Sequence, residues 1–233
     1  INPHYSGKSI NTIFEDDYII VFNKPEGIHG HALNYEQDDT LLNFMRAKSL
    51  DKDLGSFDAN QERGLLYRLD KVTSGVLFYI KDNELYKSLR DSFNDVAKSK
   101  TYIAIVEGDF QKSGSHTHYF SSKGVNSERV IVSENDFSGT LGELSVELCS
   151  YNQDEDVSLV KVHLKTGLRH QIRAQMAYLG YPLVGDEFYG ARASERVFLH
   201  AYSYSINSSK LNKEVVCQEA NLFDKFFNLD SSL

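Results

Sequence analysis

Five consecutive apolar or aromatic residues, Val76-Leu77-Phe78-Tyr79-Ile80, follow directly on Gly64-Leu65-Leu66-Tyr67-Arg68-Leu69-Asp70-Lys71-Val72-Thr73-Ser74-Gly75. A run that short and that apolar fits a buried strand. The stretch before it is then a polar turn delivered onto rigid sheet, with Asp70 in the turn. Arg68 lies two positions before this carboxylate and Lys71 directly after it. Thr73 and Ser74 can bond the loop backbone and hold its shape. Cationic neighbours favour the ionised form of a carboxylate even where water is partly excluded. That form is the one a nucleophile or general base needs. The same residues also make an ordinary turn with a surface Arg–Asp pair, and spacing alone leaves both readings open.

The chain has 233 residues and a formal net charge of −8. A general coat protein for nucleic acid needs an excess of Lys and Arg against phosphate, so this balance argues against that class. It allows an RNA enzyme whose footprint alone is basic. No apolar run is long enough to span a bilayer. Cys149 and Cys217 are the only cysteines, and their wide separation points to free thiols in a reducing compartment, with neither a disulfide framework nor a zinc site. A cytoplasmic location is expected.

Along the chain, residues 1–12 read as a loose arm. Tyr18-Ile19-Ile20-Val21-Phe22 reads as a strand, ended by the turn Asn23-Lys24-Pro25-Glu26-Gly27. His29 and His31 alternate, and so do His116 and His118, but no further ligand of defined spacing joins either pair. Thr40 is placed to cap a short helix carrying Leu41, Phe44 and Met45, and 51–63 is a polar loop. Asp82 or Asn83 caps a helix whose apolar positions are Leu85, Leu89, Phe93 and Val96. A strand is expected over 100–108. Residues 111–142, rich in Ser, Gly, Asn and His, read as hairpins and loops with a candidate strand at 130–132. Only Lys112, Lys123 and Arg129 supply positive charge there. Strands follow over 142–148 and 160–165. A helix is expected to begin at Leu168, with Ile172, Met176 and Leu179 as its apolar stripe, Gly180 as its stop, and Arg169 and Arg173 one turn apart beside the stripe. A last strand covers 197–206, and 222–227 form a short docking helix.

Four stretches together resemble the RluA-type pseudouridine synthases, enzymes that isomerise uridine to pseudouridine within RNA. Arg68-Leu69-Asp70-Lys71-Val72-Thr73-Ser74-Gly75 is similar to their catalytic motif, with Tyr67 where His is usual. Asn23-Lys24-Pro25-Glu26-Gly27 resembles their opening motif, and Lys100-Thr101-Tyr102 their Lys-x-Tyr strand. Thr166-Gly167-Leu168-Arg169-His170-Gln171-Ile172-Arg173 resembles Thr-Gly-Arg-Thr-His-Gln-Ile-Arg, with one cation displaced by a position. The segments 180–190 and 197–206 extend the likeness.

The resemblance implies an α+β fold, a mixed, largely antiparallel sheet flanked by helices with a central active-site cleft. One catalytic domain is expected over 1–233, without the S4-like N-terminal domain that many members carry. The resemblance further implies Asp70 as catalytic carboxylate, Arg173 as the cation paired with it, and Tyr102 as the aromatic shelf for the uracil. Leu199 would seal the pocket, Arg68 would occupy the vacated stack or hold the flipped nucleotide's phosphate, Lys24 would neutralise a phosphate, and Arg169 is a further substrate-binding candidate. Neither a metal nor a cofactor is demanded by the isomerisation. The expected partner is ribosomal or transfer RNA, met by a monomer without membrane attachment. A non-catalytic RNA-binding protein keeping the same fold is the alternative.

Overall fold

The computed structural model describes residues 4–48, 50, 63–122, 129–136, 138–218 and 222–227. The expected polar loop at 51–63 lies outside the described residues except for Arg63, and Lys123 lies outside them too. The chain divides into two compact units, Ile1–Lys98 with Ala201–Cys217, and Ser99–His200 with Gln218–Leu233.

In the first unit, β1 (Asn11–Glu15), β2 (Ile19–Lys24) and β3 (Ser74–Ile80) are neighbours in that order, followed by β9 (Leu199–Asn207) and β10 (Asn212–Val216). Both pairings of β2, to β1 and to β3, are antiparallel. The residues of β3 are all buried, which explains why its sequence shows no alternation. Helix α1 (Leu41–Ala47) is capped by Thr40, whose hydroxyl accepts from the Asn43 amide at 3.3 Å. Helix α2 (Asn83–Asp91) is capped by Asp82, whose carboxylate accepts from the Leu85 amide at 2.6 Å, and its Leu85 and Leu89 are buried. The single turn α3 (Phe93–Val96) follows. The stretch expected as a loose arm is tied down: Ile10 is buried, Ser6 donates its amide to the Asp38 carbonyl, and Tyr5 packs edge-on against Phe44.

In the second unit the order is β4 (Ala97–Glu107), β8 (Val157–Leu164), β7 (Thr140–Asn152), β5 (Gly114–Ser122) and β6 (Val130–Ser133), with every pair antiparallel. Leu144, Val146, Val160 and Val162 are buried, and the outward positions of β7 are half-exposed or exposed. The nine-residue β5 escaped the sequence reading because it holds Ser, His and Thr where apolar residues would mark a strand. Its Phe120 packs with Ala174 and Tyr189, against Val130, Val132, Leu168 and Ala177. Helix α4 (Gln171–Tyr178) starts three residues later than expected, because His170 takes a left-handed conformation (φ 53°) that ends the preceding turn. Arg169 therefore lies in the turn, off the helix. Ile172, Met176 and Leu179 are buried, as the stripe requires. Residues 222–227 form one turn in place of a helix, with the Phe227 amide on the Phe223 carbonyl and the Phe226 ring edge-on to Phe198. No helix among the described residues is long and apolar enough to cross a membrane.

Candidate active site

In the first unit the Asp70 loop is one end of a hairpin. Leu66 donates its amide to the Phe78 carbonyl at 3.0 Å and Ile80 donates to the Gly64 carbonyl at 2.8 Å, so 64–66 run beside β3. The Tyr67 hydroxyl closes the loop by donating to the Val76 carbonyl at 2.9 Å, and its ring stacks on Tyr204 with centroids 4.1 Å apart. Tyr67 is thus a buried brace. The turn itself is fixed by the Thr73 amide on the Asp70 carbonyl at 3.0 Å. Gly75 has φ 113°, and a Cβ there would run into the backbone of Ala201 on β9. The motif's final glycine is what permits two backbones to approach this closely.

Asp70 is half-buried, and Arg68 and Lys71 are exposed. Lys24 differs from expectation. Its side chain is fully buried, and its ammonium donates to the carbonyls of Pro25 at 2.8 Å and Ile28 at 3.0 Å, with the Lys71 carbonyl at 3.5 Å. The Gly27 amide donates to the same Lys71 carbonyl at 2.7 Å. A cation sealed among carbonyls is not a phosphate ligand; it ties the turn after β2 to the residue beside Asp70. Nearby, burial and then the charges of Lys71 and Lys24 push the His29 imidazole below its ordinary range.

In the second unit Arg173 is buried on α4. Its Nε donates to Asp186 Oδ2 at 2.7 Å and its Nη2 to Asp186 Oδ1 at 2.8 Å, a bidentate fork between side chains 8% and 1% exposed. Aromatic rings flank the guanidinium, Tyr189 at 5.2 Å and Phe188 at 5.8 Å from their centroids. Gln171 fixes the turn that feeds the helix: its Oε1 accepts from Thr166 Oγ1 at 2.8 Å and from the Leu168 amide at 3.0 Å, while its Nε2 donates to the Glu143 carbonyl at 3.1 Å. The Lys100 ammonium, 3% exposed, donates to the Lys165 carbonyl at 3.0 Å, and burial pushes its pKa down. Tyr102 is buried on β4 opposite Val162, Leu199 is buried at the start of β9, and Arg169 is exposed.

Sequence reasoning missed Asp186, Gln171 and the bracing role of Tyr67. Asp186 lies in a glycine-punctuated turn and carried no spacing that linked it to Arg173. Among the described residues no group of three or more His, Cys, Asp or Glu gathers as a metal would need. Cys149 is exposed, Cys217 is buried, and neither is in a disulfide.

An antiparallel-sheet α+β fold with these motif turns defines a class. The sequence profile described as RNA pseudouridylate synthase matches residues 18–178, and the chain belongs to that family. It is 35% identical over 211 residues to the ribosomal large subunit pseudouridine synthase D of Borreliella burgdorferi, covering 86% of this chain and 62% of that protein. It is 33% identical over 187 residues to the protein of the same name from Pseudomonas aeruginosa, covering 78% of this chain and 54% of that one. The chain therefore spans less than two thirds of the length of these two relatives. Among solved structures, human RNA Pseudouridylate Synthase Domain Containing 1 shares the fold with a TM-score of 0.72 at 22% identity, covering 93% of this chain and 86% of that one.

Proposed function

We propose that this chain converts uridine to pseudouridine in RNA, with Asp70 as the catalytic carboxylate. The observation that carries the reading is the family match over 18–178, a span that contains Asp70, Tyr102 and Arg173 and runs through both units. That span is also the reason for taking 1–233 as one catalytic domain. The relatives' names point to ribosomal RNA of the large subunit as the substrate.

The isomerisation breaks the bond from C1′ to N1, turns the uracil, and joins C1′ to C5. The C5 proton leaves and N1 gains one, so no electron is gained or lost and no group departs. The reaction asks for a carboxylate beside sugar and base, and Asp70 sits in a turn braced from both sides. Its chemical step is attack at C1′, attack at C6, or removal of the 2′ hydrogen. In this proposal Arg173 is its electrostatic partner, with the guanidinium plane set by the Asp186 fork. A uracil within a duplex is out of reach, so the nucleotide is flipped, at a cost of a few kcal/mol unless it lies in a loop. Arg68, exposed two residues before Asp70, would hold the displaced nucleotide. Tyr102 and Leu199 would hold the detached uracil and exclude water, and Arg169 would meet phosphate. A monomer acting in the cytoplasm completes the reading.

The test is tritium release from RNA labelled at uridine C5, using RNA from cells that lack this protein. Asp70→Asn should release no tritium while binding the RNA nearly as well as the parent protein. Release by that variant at the parent rate would overturn the assignment. RNA binding by the parent without release would favour the non-catalytic alternative.

A further inference from the structure

Phe188 presents an aromatic side chain to solvent from a hydrogen-bonded turn in the second unit. It lies in the single 3-10 turn Glu187–Tyr189 and is 40% exposed, whereas its neighbour Tyr189 is 6% exposed. Isolated exposed hydrophobics are ordinary and need no explanation. The difference here is in what surrounds the ring and what holds it.

The turn is held at both ends. The Asp186 carboxylate is forked by Arg173, and the Tyr189 amide donates to the Asp186 carbonyl at 2.9 Å. The Tyr189 hydroxyl meets His170 Nδ1 at 3.0 Å and accepts from the Val130 amide at 3.3 Å. The Phe188 ring stands edge-on to Tyr189 at 5.1 Å and to His170 at 6.0 Å, with the Arg173 guanidinium 5.8 Å from its centroid. Positive groups line the same neighbourhood. Arg129 is exposed and lies 5.4 Å from the Tyr189 centroid, and Arg169, also exposed, directly precedes His170. Asp186 offsets the charge of Arg173 and exposed Glu187 directly precedes the ring, so on a chain of net charge −8 the exposed cations of this neighbourhood are Arg129 and Arg169.

A fixed ring beside guanidinium groups is the arrangement that binds single-stranded nucleic acid, where the base stacks and the cations follow the backbone. We propose that Phe188 is a stacking platform for an unpaired nucleobase of the RNA, with Arg129 and Arg169 along the adjoining phosphates. The inference rests on the pseudouridine synthase reading and deepens it: the RNA that this chain takes offers at least one unpaired base, so the substrate contains a loop or bulge and is not a continuous duplex. A protein partner is the competing occupant of such a ring, but the guanidinium groups around it favour the polyanion.

The probe is a nine-nucleotide single-stranded RNA with a central uridine and 2-aminopurine beside it, compared with the same strand annealed to its complement. Stacking on Phe188 quenches 2-aminopurine. The parent chain should quench the single strand and bind it at least ten-fold more tightly than the duplex. Phe188→Leu, which keeps an apolar side chain without a ring, should lose the quench and bind the single strand about ten-fold more weakly, a typical value for one base stacked on one ring. Phe188→Trp should restore both. Unchanged quench and affinity in Phe188→Leu, equal affinity for strand and duplex, or no binding of the strand by the parent chain would each overturn the inference. Tritium release measured on the same proteins keeps the two readings apart. A parent chain that binds with Phe188 dependence but releases no tritium leaves the platform standing and removes the enzyme. A parent chain that releases tritium, with a Phe188→Leu variant that binds and quenches as it does, removes the platform alone.

Discussion

Arg173 gives two of its N–H groups to Asp186, and the pair is nearly sealed from water. Removing one partner of a buried ion pair costs about 3–5 kcal/mol, because the other charge is left uncompensated. Asp186→Ala should therefore lower unfolding free energy in urea by about that amount. Arg173→Lys keeps a positive charge but has no planar fork to match the carboxylate. If Arg173 orients Asp70 as proposed, turnover of Arg173→Lys should fall by about 100-fold, the scale of a misplacement of roughly 1 Å at a reacting group. Turnover within a few-fold of the parent would detach Arg173 from the chemistry. Tyr67 makes a smaller claim. Tyr67→Phe keeps the stack on Tyr204 and removes one buried hydrogen bond to Val76, so denaturation should show a loss of roughly 0.5–1.5 kcal/mol. At this scale the letters were informative about which residues form the motif turns and poor at saying how they are used. Lys24 follows a strand and precedes a Pro–Gly turn, where a lysine is normally solvated, and only the carbonyls converging on it reveal its burial.

Strand β5 and helix α4 meet through a contact that depends on protonation. His118 is 4% exposed, and burial, followed by the charge of His116, pushes its imidazole below the ordinary value of 6.5, with Glu134 acting weakly the other way. Gln175 Nε2 donates to His118 Nδ1 at 2.8 Å and to the His116 carbonyl at 3.2 Å, while the Tyr178 ring stands edge-on to His118 at 4.9 Å. A protonated His118 would set one N–H against another. Because the folded-state value is depressed, the unfolded chain takes up the proton first as pH falls. Stability is then full above about pH 6.5 and declines below it. Melting temperature should drop between pH 7 and pH 5 more in the parent than in His118→Leu; equal drops would place the acid sensitivity elsewhere. The turn before β3 carries a steric prediction. Gly75→Ala meets both a positive φ and the Ala201 backbone, so it should cost about 1–3 kcal/mol in strain and a similar amount in overpacking. Most strands and both capped helices were legible because hydrophobic period and Thr40 or Asp82 mark them plainly. The start of α4 was not, since nothing in the letters makes His170 left-handed, and β5 was not, since its buried face is chiefly His118 and Phe120.

Over the whole chain, acidic residues outnumber basic ones, 33 to 25. On the proposed reading, RNA is then held by a few local cations against an unfavourable background. Three to five phosphate contacts on a single strand would give a log–log salt slope of roughly −2 to −3.5, and titrating binding between low and moderate salt reads it directly. A slope near zero would mean that phosphate is not what the exposed arginines meet. The fold class was legible from four motifs in family order, whereas the division into two compact units was not. Motif spacing records which residues recur along a chain but carries no measure of how densely each segment packs with the rest.

Among the described residues each unit encloses one lysine ammonium among backbone carbonyls, Lys24 in the first and Lys100 in the second. An amine-acetylating reagent can reach these nitrogens only in molecules that have opened, whereas exposed Lys71 and Lys165 react at once. The two sites therefore act as local clocks: read peptide by peptide in rising urea, Lys24 reports when the Asp70 hairpin loosens and Lys100 when the turn before α4 does.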